Sequence, residues 1–112
     1  MTPLKLVETD PGKFSLLLGT GGLVVDDLVQ ELGHEPNGYF WEGVAELLVT
    51  HEAPALAGRF SYDPEAGMFC AYGRDRAALE DLGTRMSAVA TDGDRVRQLV
   101  ALAAATGFEF DD

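Results

Sequence analysis

Residues able to do catalytic or metal chemistry are few and scattered. The two histidines, His34 and His51, each precede a glutamate, Glu35 and Glu52. A hydrolytic metal site needs at least three protein ligands in fixed geometry, and the H-E-x-x-H pattern fails because Gly38 stands four residues after His34. A metal or enzyme role would require His34, His51 and several carboxylates to converge in space. Ser15, Ser61 and Ser87 lie in or beside predicted regular elements without a G-x-S-x-G elbow. Cys70, the single cysteine, falls inside a predicted strand and reads as a buried, inert thiol with no internal disulfide partner. Gly19-Thr20-Gly21-Gly22 sits where a phosphate loop would sit, but it matches no phosphate-binding pattern and supplies no lysine. Asp26 and Asp27 would moreover crowd an anion there. No catalytic residue, metal ligand or cofactor is therefore assigned. Carboxylate pairs are too frequent in so acidic a chain for any one pair to mark an acid and a base.

Charge is the more informative property. The 112 residues carry 8 Lys+Arg against 19 Asp+Glu, a formal charge of −11. Nucleic acid is excluded as a partner because its binding draws on cationic side chains that neutralise phosphates. An anionic membrane surface is excluded by the same sign argument, leaving a basic partner as the expectation. The charge is also unevenly placed. From Phe14 to Gly58 the chain holds seven acids (Asp26, Asp27, Glu31, Glu35, Glu42, Glu46 and Glu52) and no Lys or Arg, whereas from Arg59 onward six arginines interleave with ten acids. Asp27 with Glu31, and Glu42 with Glu46, are like charges one helical turn apart, each pair costing about 0.2–0.5 kcal/mol. Two readings follow: a surface kept for a cationic partner, or carboxylates used simply for solubility.

The elements that must position these residues can be read from periodicity and turn chemistry. Leu4 to Glu8 and Lys13 to Leu18 flank Asp10-Pro11-Gly12 and predict a β-hairpin. Val25, Leu28, Val29 and Leu32 form the apolar stripe of a first helix stopped by Gly33. Asn37 caps a second helix whose apolar face is Phe40, Trp41, Val44, Leu47 and Leu48, with Pro54 beyond its end. Arg59 to Tyr62 and Met68 to Tyr72 flank Asp63-Pro64-Glu65-Ala66-Gly67, which predicts a type I turn with a G1 bulge at Gly67. Asp75 caps a third helix bearing Leu79, Leu82, Met86 and Val89, with an Asp81–Arg85 ion pair. Asp92-Gly93-Asp94 opens a fourth helix, stopped by Gly107, and Phe108-Glu109-Phe110 reads as an optional edge strand.

The expected order is ββααββαα with that optional final strand. Because strands arrive as hairpins, the class is α+β, an antiparallel sheet covered by about four helices. One domain over residues 1–112 is expected from length. With neither a secretion signal nor an 18-residue apolar run, the expected location is cytoplasmic.

Helical spacing sets Tyr39, Glu42 and Glu46 opposite Phe40, Val44 and Leu48, with Gly43 leaving a gap. Tyr39 then has two open placements, an exposed aromatic among carboxylates suited to docking Arg or Lys, or packing against the loop from His34 to Gly38. Trp41 belongs to the core.

Two blocks carry a family resemblance: Gly38-Tyr39-Phe40-Trp41-Glu42 at the start of the second helix, and Phe60-Ser61-Tyr62-Asp63-Pro64-Glu65-Ala66-Gly67-Met68-Phe69 in the second hairpin. With the acidic cap and two helices that follow, the chain from about Leu4 to Phe110 resembles the immunity protein 51 family of bacterial polymorphic toxin systems. The resemblance implies a non-enzymatic cytoplasmic antidote that binds a cognate toxin domain. Many such toxins are nucleases with basic active surfaces, on which an acidic protein competes. Opposite charges would raise association toward about 10⁸–10⁹ M⁻¹s⁻¹ at low salt. The expected contact residues are Asp26, Asp27, Glu31, Glu35, Tyr39, Glu42 and Glu46, while Asp63 and Glu65 shape the hairpin turn. The alternative is a small acidic adaptor or regulatory subunit on a basic partner that is no toxin.

Overall fold

A computed structural model describes all 112 residues. The elements are β1 (Lys5–Asp10), β2 (Lys13–Gly19), α1 (Asp26–Glu31), α2 (Gly38–His51), a 3-10 turn (Pro54–Leu56), β3 (Ser61–Tyr62), β4 (Met68–Gly73), α3 (Arg76–Ala90) and α4 (Gly93–Thr106). This is the expected ββααββαα order and an α+β fold.

The four strands form one sheet in the order β1-β2-β4-β3, with every neighbouring pair antiparallel. The two hairpins meet along β2 and β4, where Leu16 pairs with Ala71 and Leu18 with Phe69. Strand alternation sends these four side chains into the core beneath the helices. The residues between them, Ser15, Leu17, Cys70 and Tyr72, alternate to the opposite face and are half-buried or exposed. Cys70 is therefore not the buried thiol expected from its place in a strand. It is half-buried on the open face, and burial, followed by the Asp63 charge, pushes its thiol up.

Turn chemistry separates the two hairpins. Pro11-Gly12 joins β1 to β2 as a two-residue loop, with Gly12 at φ 76°, where glycine is strongly favoured. The second hairpin departs from expectation. Glu65 and Met68 exchange backbone bonds of 2.8 and 3.2 Å, so the loop is Ala66-Gly67, and Gly67 does not adopt the left-handed conformation a G1 bulge requires. Distant backbone selects this tighter turn. The Gly38 N–H donates to the Ala66 carbonyl and the Thr20 N–H to the Gly67 carbonyl, both at 3.1 Å. A side chain at Gly38 would overlap the Glu65 and Met68 carbonyl oxygens, so glycine there allows α2 to start against the hairpin.

The helices begin where expected. Asn37 accepts from the Phe40 N–H at 2.9 Å and Asp75 from the Ala78 N–H at 3.0 Å, while Asp92 accepts from the Asp94 N–H. Gly33 and Gly107 take positive φ of 89° and 77° at the ends of α1 and α4. Helices α2 and α3 lie on the sheet and α4 packs on both. Phe40, Trp41, Leu47, Leu48, Leu79, Leu82, Met86 and Leu99 are fully buried in a single cluster with the inner sheet residues.

The C-terminal segment corrects a further expectation. Phe108-Glu109-Phe110 is not a strand. After the left-handed turn at Gly107, the chain folds across α2, and the rings of Phe108 and Phe110 pack over Gly43. Phe110 stacks on Phe40 at 4.8 Å, and Phe108 meets Phe110 edge-on at 5.2 Å. Burying two aromatic rings outweighs a few edge hydrogen bonds exposed to water. The gap predicted at Gly43 is thus filled by the chain's own tail.

Candidate functional site: the acidic face of α2

Helix α2 turns Phe40, Trp41, Val44, Leu47 and Leu48 to the core, which leaves Tyr39, Glu42 and Glu46 along its outer side. Tyr39 is exposed at 37%, while Glu42 and Glu46 are half-buried. Burial first, then the charges of Glu46 and Asp111, holds the Glu42 carboxyl above its ordinary range. Glu46 is raised by burial and then by Asp111. No Lys or Arg pairs with any of the three, whereas Glu52 meets Arg95 at 2.7 Å, and Asp75, Glu80 and Asp81 each hold an arginine. The patch is an uncompensated negative site.

Asp111 was not legible in the sequence as a member. The folded tail brings it there, and the signal available was the apolar pair Phe108 and Phe110, which needs a place to bury. Asp112, next in the chain, secures the tail: its carboxylate accepts from the Glu35 N–H at 2.7 Å and meets His34 Nδ1 at 3.1 Å. His34 in turn packs edge-on against Phe110 at 4.7 Å and lies 5.6 Å from Phe40. His51 is exposed at the far end of α2, about 16 Å along the helix from Phe40, the residue beside which His34 packs. The two histidines therefore do not converge, and no three His, Cys, Asp or Glu side chains are arranged to hold a metal ion.

The α1 acids are placed differently. Asp26 is half-buried, and one carboxylate oxygen accepts from the backbone N–H groups of Gly22 and Leu23 at 2.8 and 3.1 Å. It therefore shapes the glycine-rich connection. Asp27 and Glu31 are exposed on α1, and the Glu35 side chain is exposed in the following loop. The charges that act on Glu42 and Glu46 come from within their own pair and from Asp111, with none from α1. The seven predicted contact residues thus divide into a coupled α2 group and a separate set of exposed acids before it.

Beside the α2 group a groove of about 320 Å³ opens between α2, the 3-10 turn and β3. Glu46 stands on its wall with Val49, Leu56, Phe60, Tyr62 and Phe108. Tyr62 keeps its proton well past the usual phenol range, because it is buried and because Glu46 and Glu42 disfavour a phenolate. The site therefore pairs negative charge with an aromatic wall, which suits binding a cation.

No helix is long and apolar enough to cross a membrane. No curated protein and no solved structure matches the chain. Residues 4–105, which include both blocks singled out in the sequence, match the family model for immunity protein 51, and the chain belongs to that family of immunity proteins.

Proposed function

We propose that this chain is a single-domain, non-enzymatic antidote that binds a cognate toxin domain stoichiometrically through its acidic side, with the face of α2 at the centre. The observation carrying this reading is the Glu42 and Glu46 pair, held partly out of water beside the exposed Asp111, with no cation of its own. Like charges kept together at a cost to the free protein are relieved when a basic surface covers them. Family membership supports the toxin as that partner. Tyr39, Asp27, Glu31 and Glu35 supply the outer contacts, and Asp26 contributes by holding the loop before α1. A nuclease, whose active surface must attract phosphates, offers the basic face this charge fits. The protein would act in the cytoplasm of the cell it protects.

Replacing Glu42 and Glu46 together by Gln tests the proposal against the cognate toxin domain. Association should slow and lose part of its salt dependence, with the circular dichroism spectrum unchanged. Unaltered association kinetics would remove this face from the interface.

A further inference from the structure

The groove beside Glu46 has a shape and chemistry that narrow what it can hold. Its apolar part is Val49, Leu56, Phe60, Tyr62 and Phe108, and its charge comes from Glu46, with Glu42 acting on the Tyr62 hydroxyl from nearby. The Phe60 and Tyr62 rings meet at 5.7 Å in an edge-to-face pair. At about 320 Å³ it is near the lower limit for a small-molecule pocket, and only one of its walls is charged.

An apolar anion would meet Glu46, and an apolar cap would leave Glu46 desolvated without a partner. A compact, strongly hydrated ammonium gains less from aromatic walls than a guanidinium does. Arginine is weakly hydrated, planar, able to lie on a ring face and to pair in a forked geometry with a carboxylate, and its methylene stem covers apolar surface. The chain does not fill the groove with an arginine of its own: Arg59, next to Phe60, reaches instead to Asp75 at 3.3 Å.

We propose that the groove between α2, the 3-10 turn and β3 is the anchoring site for one arginine side chain of the toxin. The stem lies on Val49, Leu56 and Phe108, and the guanidinium pairs with Glu46 beside the Phe60 and Tyr62 rings. This rests on the reading of the α2 face as the toxin-binding side and adds the anchor that would slow dissociation once charge has steered the encounter.

The test is an NMR titration of the full chain with N-acetyl-arginine amide, using the neutral isostere N-acetyl-citrulline amide as control. The arginine compound should give saturable shifts centred on Glu46, Phe60, Tyr62 and Phe108, and citrulline should bind there more weakly by a similar factor to the loss in Glu46→Gln. Glu46→Gln, at a partly exposed position that leaves the remaining spectrum in place, should weaken arginine binding roughly twofold to fivefold. Absence of saturable shifts in the groove, equal response to citrulline, or full affinity in Glu46→Gln overturns the proposal. The Glu42→Gln/Glu46→Gln double variant measured against the toxin separates the two readings. Salt-dependent toxin association that slows in Glu42→Gln/Glu46→Gln, with no arginine binding in the groove, overturns the anchor alone. Arginine binding with toxin association untouched by the double change overturns the assignment to toxin and the acidic-face reading together.

Discussion

Glu42 and Glu46 are one helical turn apart, partly desolvated, and share their surroundings with Asp111. Their carboxyls hold protons more tightly in the folded chain than in the unfolded one. Between the ordinary carboxylate range and their raised values the native state therefore binds more protons, and stability falls as pH rises through that window. Glu42→Gln/Glu46→Gln should consequently be more stable than the parent at pH 7 by about 0.5 kcal/mol, the size of a like-charge helical pair. The gap should close once the pH drops below the carboxylate range. Urea unfolding at about pH 7 and at about pH 3 measures both, and a double variant less stable than the parent at neutral pH would remove the repulsion argument. Gly43 makes a second prediction at this scale. A methyl group there would strike the Phe110 ring, so Gly43→Ala should cost about 1–3 kcal/mol as the tail is pushed away. Gly43→Ala with parental stability and an unmoved Phe110 resonance would show that the tail adapts freely.

At the scale of elements, α2 carries both the core and the candidate site, so what positions it matters most. Its start is set by the Asn37 cap and by Gly38, whose N–H reaches the Ala66 carbonyl in the second hairpin. Asn37→Ala should lose about 1 kcal/mol, read as a lower urea midpoint with the same slope. Gly38→Ala should be more damaging than Asn37→Ala, because it forces the hairpin turn and the helix apart and thereby moves Glu42 relative to Tyr62. The caps of α2, α3 and α4, the glycine stops of α1 and α4 and the apolar faces of all four helices were legible because each is a local property of a few adjacent residues: a carboxylate or amide reaches two or three residues ahead, and helical spacing repeats at 3.6. The second turn was not legible. Asp-Pro-Glu-Ala-Gly fits a bulged type I turn locally, yet bonds from Thr20 and Gly38, far away in sequence, favour the two-residue loop.

For the molecule as a whole, a charge of −11 on 112 residues means self-repulsion that salt screens. Raising NaCl from about 20 to about 500 mM should raise the thermal midpoint while lowering the toxin association rate. A salt-independent association rate would argue that packing, without steering, controls the encounter. The sign of the charge, its concentration between Phe14 and Gly58, the element order and the family blocks are determined by residue identity and short-range spacing, and the amino-acid sequence by itself contains them. Which carboxylates act on one another is a question of distance across the fold. Only the tertiary structure carries Asp111 onto α2, by burying Phe108 and Phe110 over Gly43, and only it turns Asp26 inward to hold a loop. It also moves Cys70 to the open face of the sheet, since strand alternation permits either face and the helices choose which one is covered. Local patterns specify elements because their forces reach a turn or two; the site is assembled by long-range burial, whose outcome depends on every surface competing for the same core.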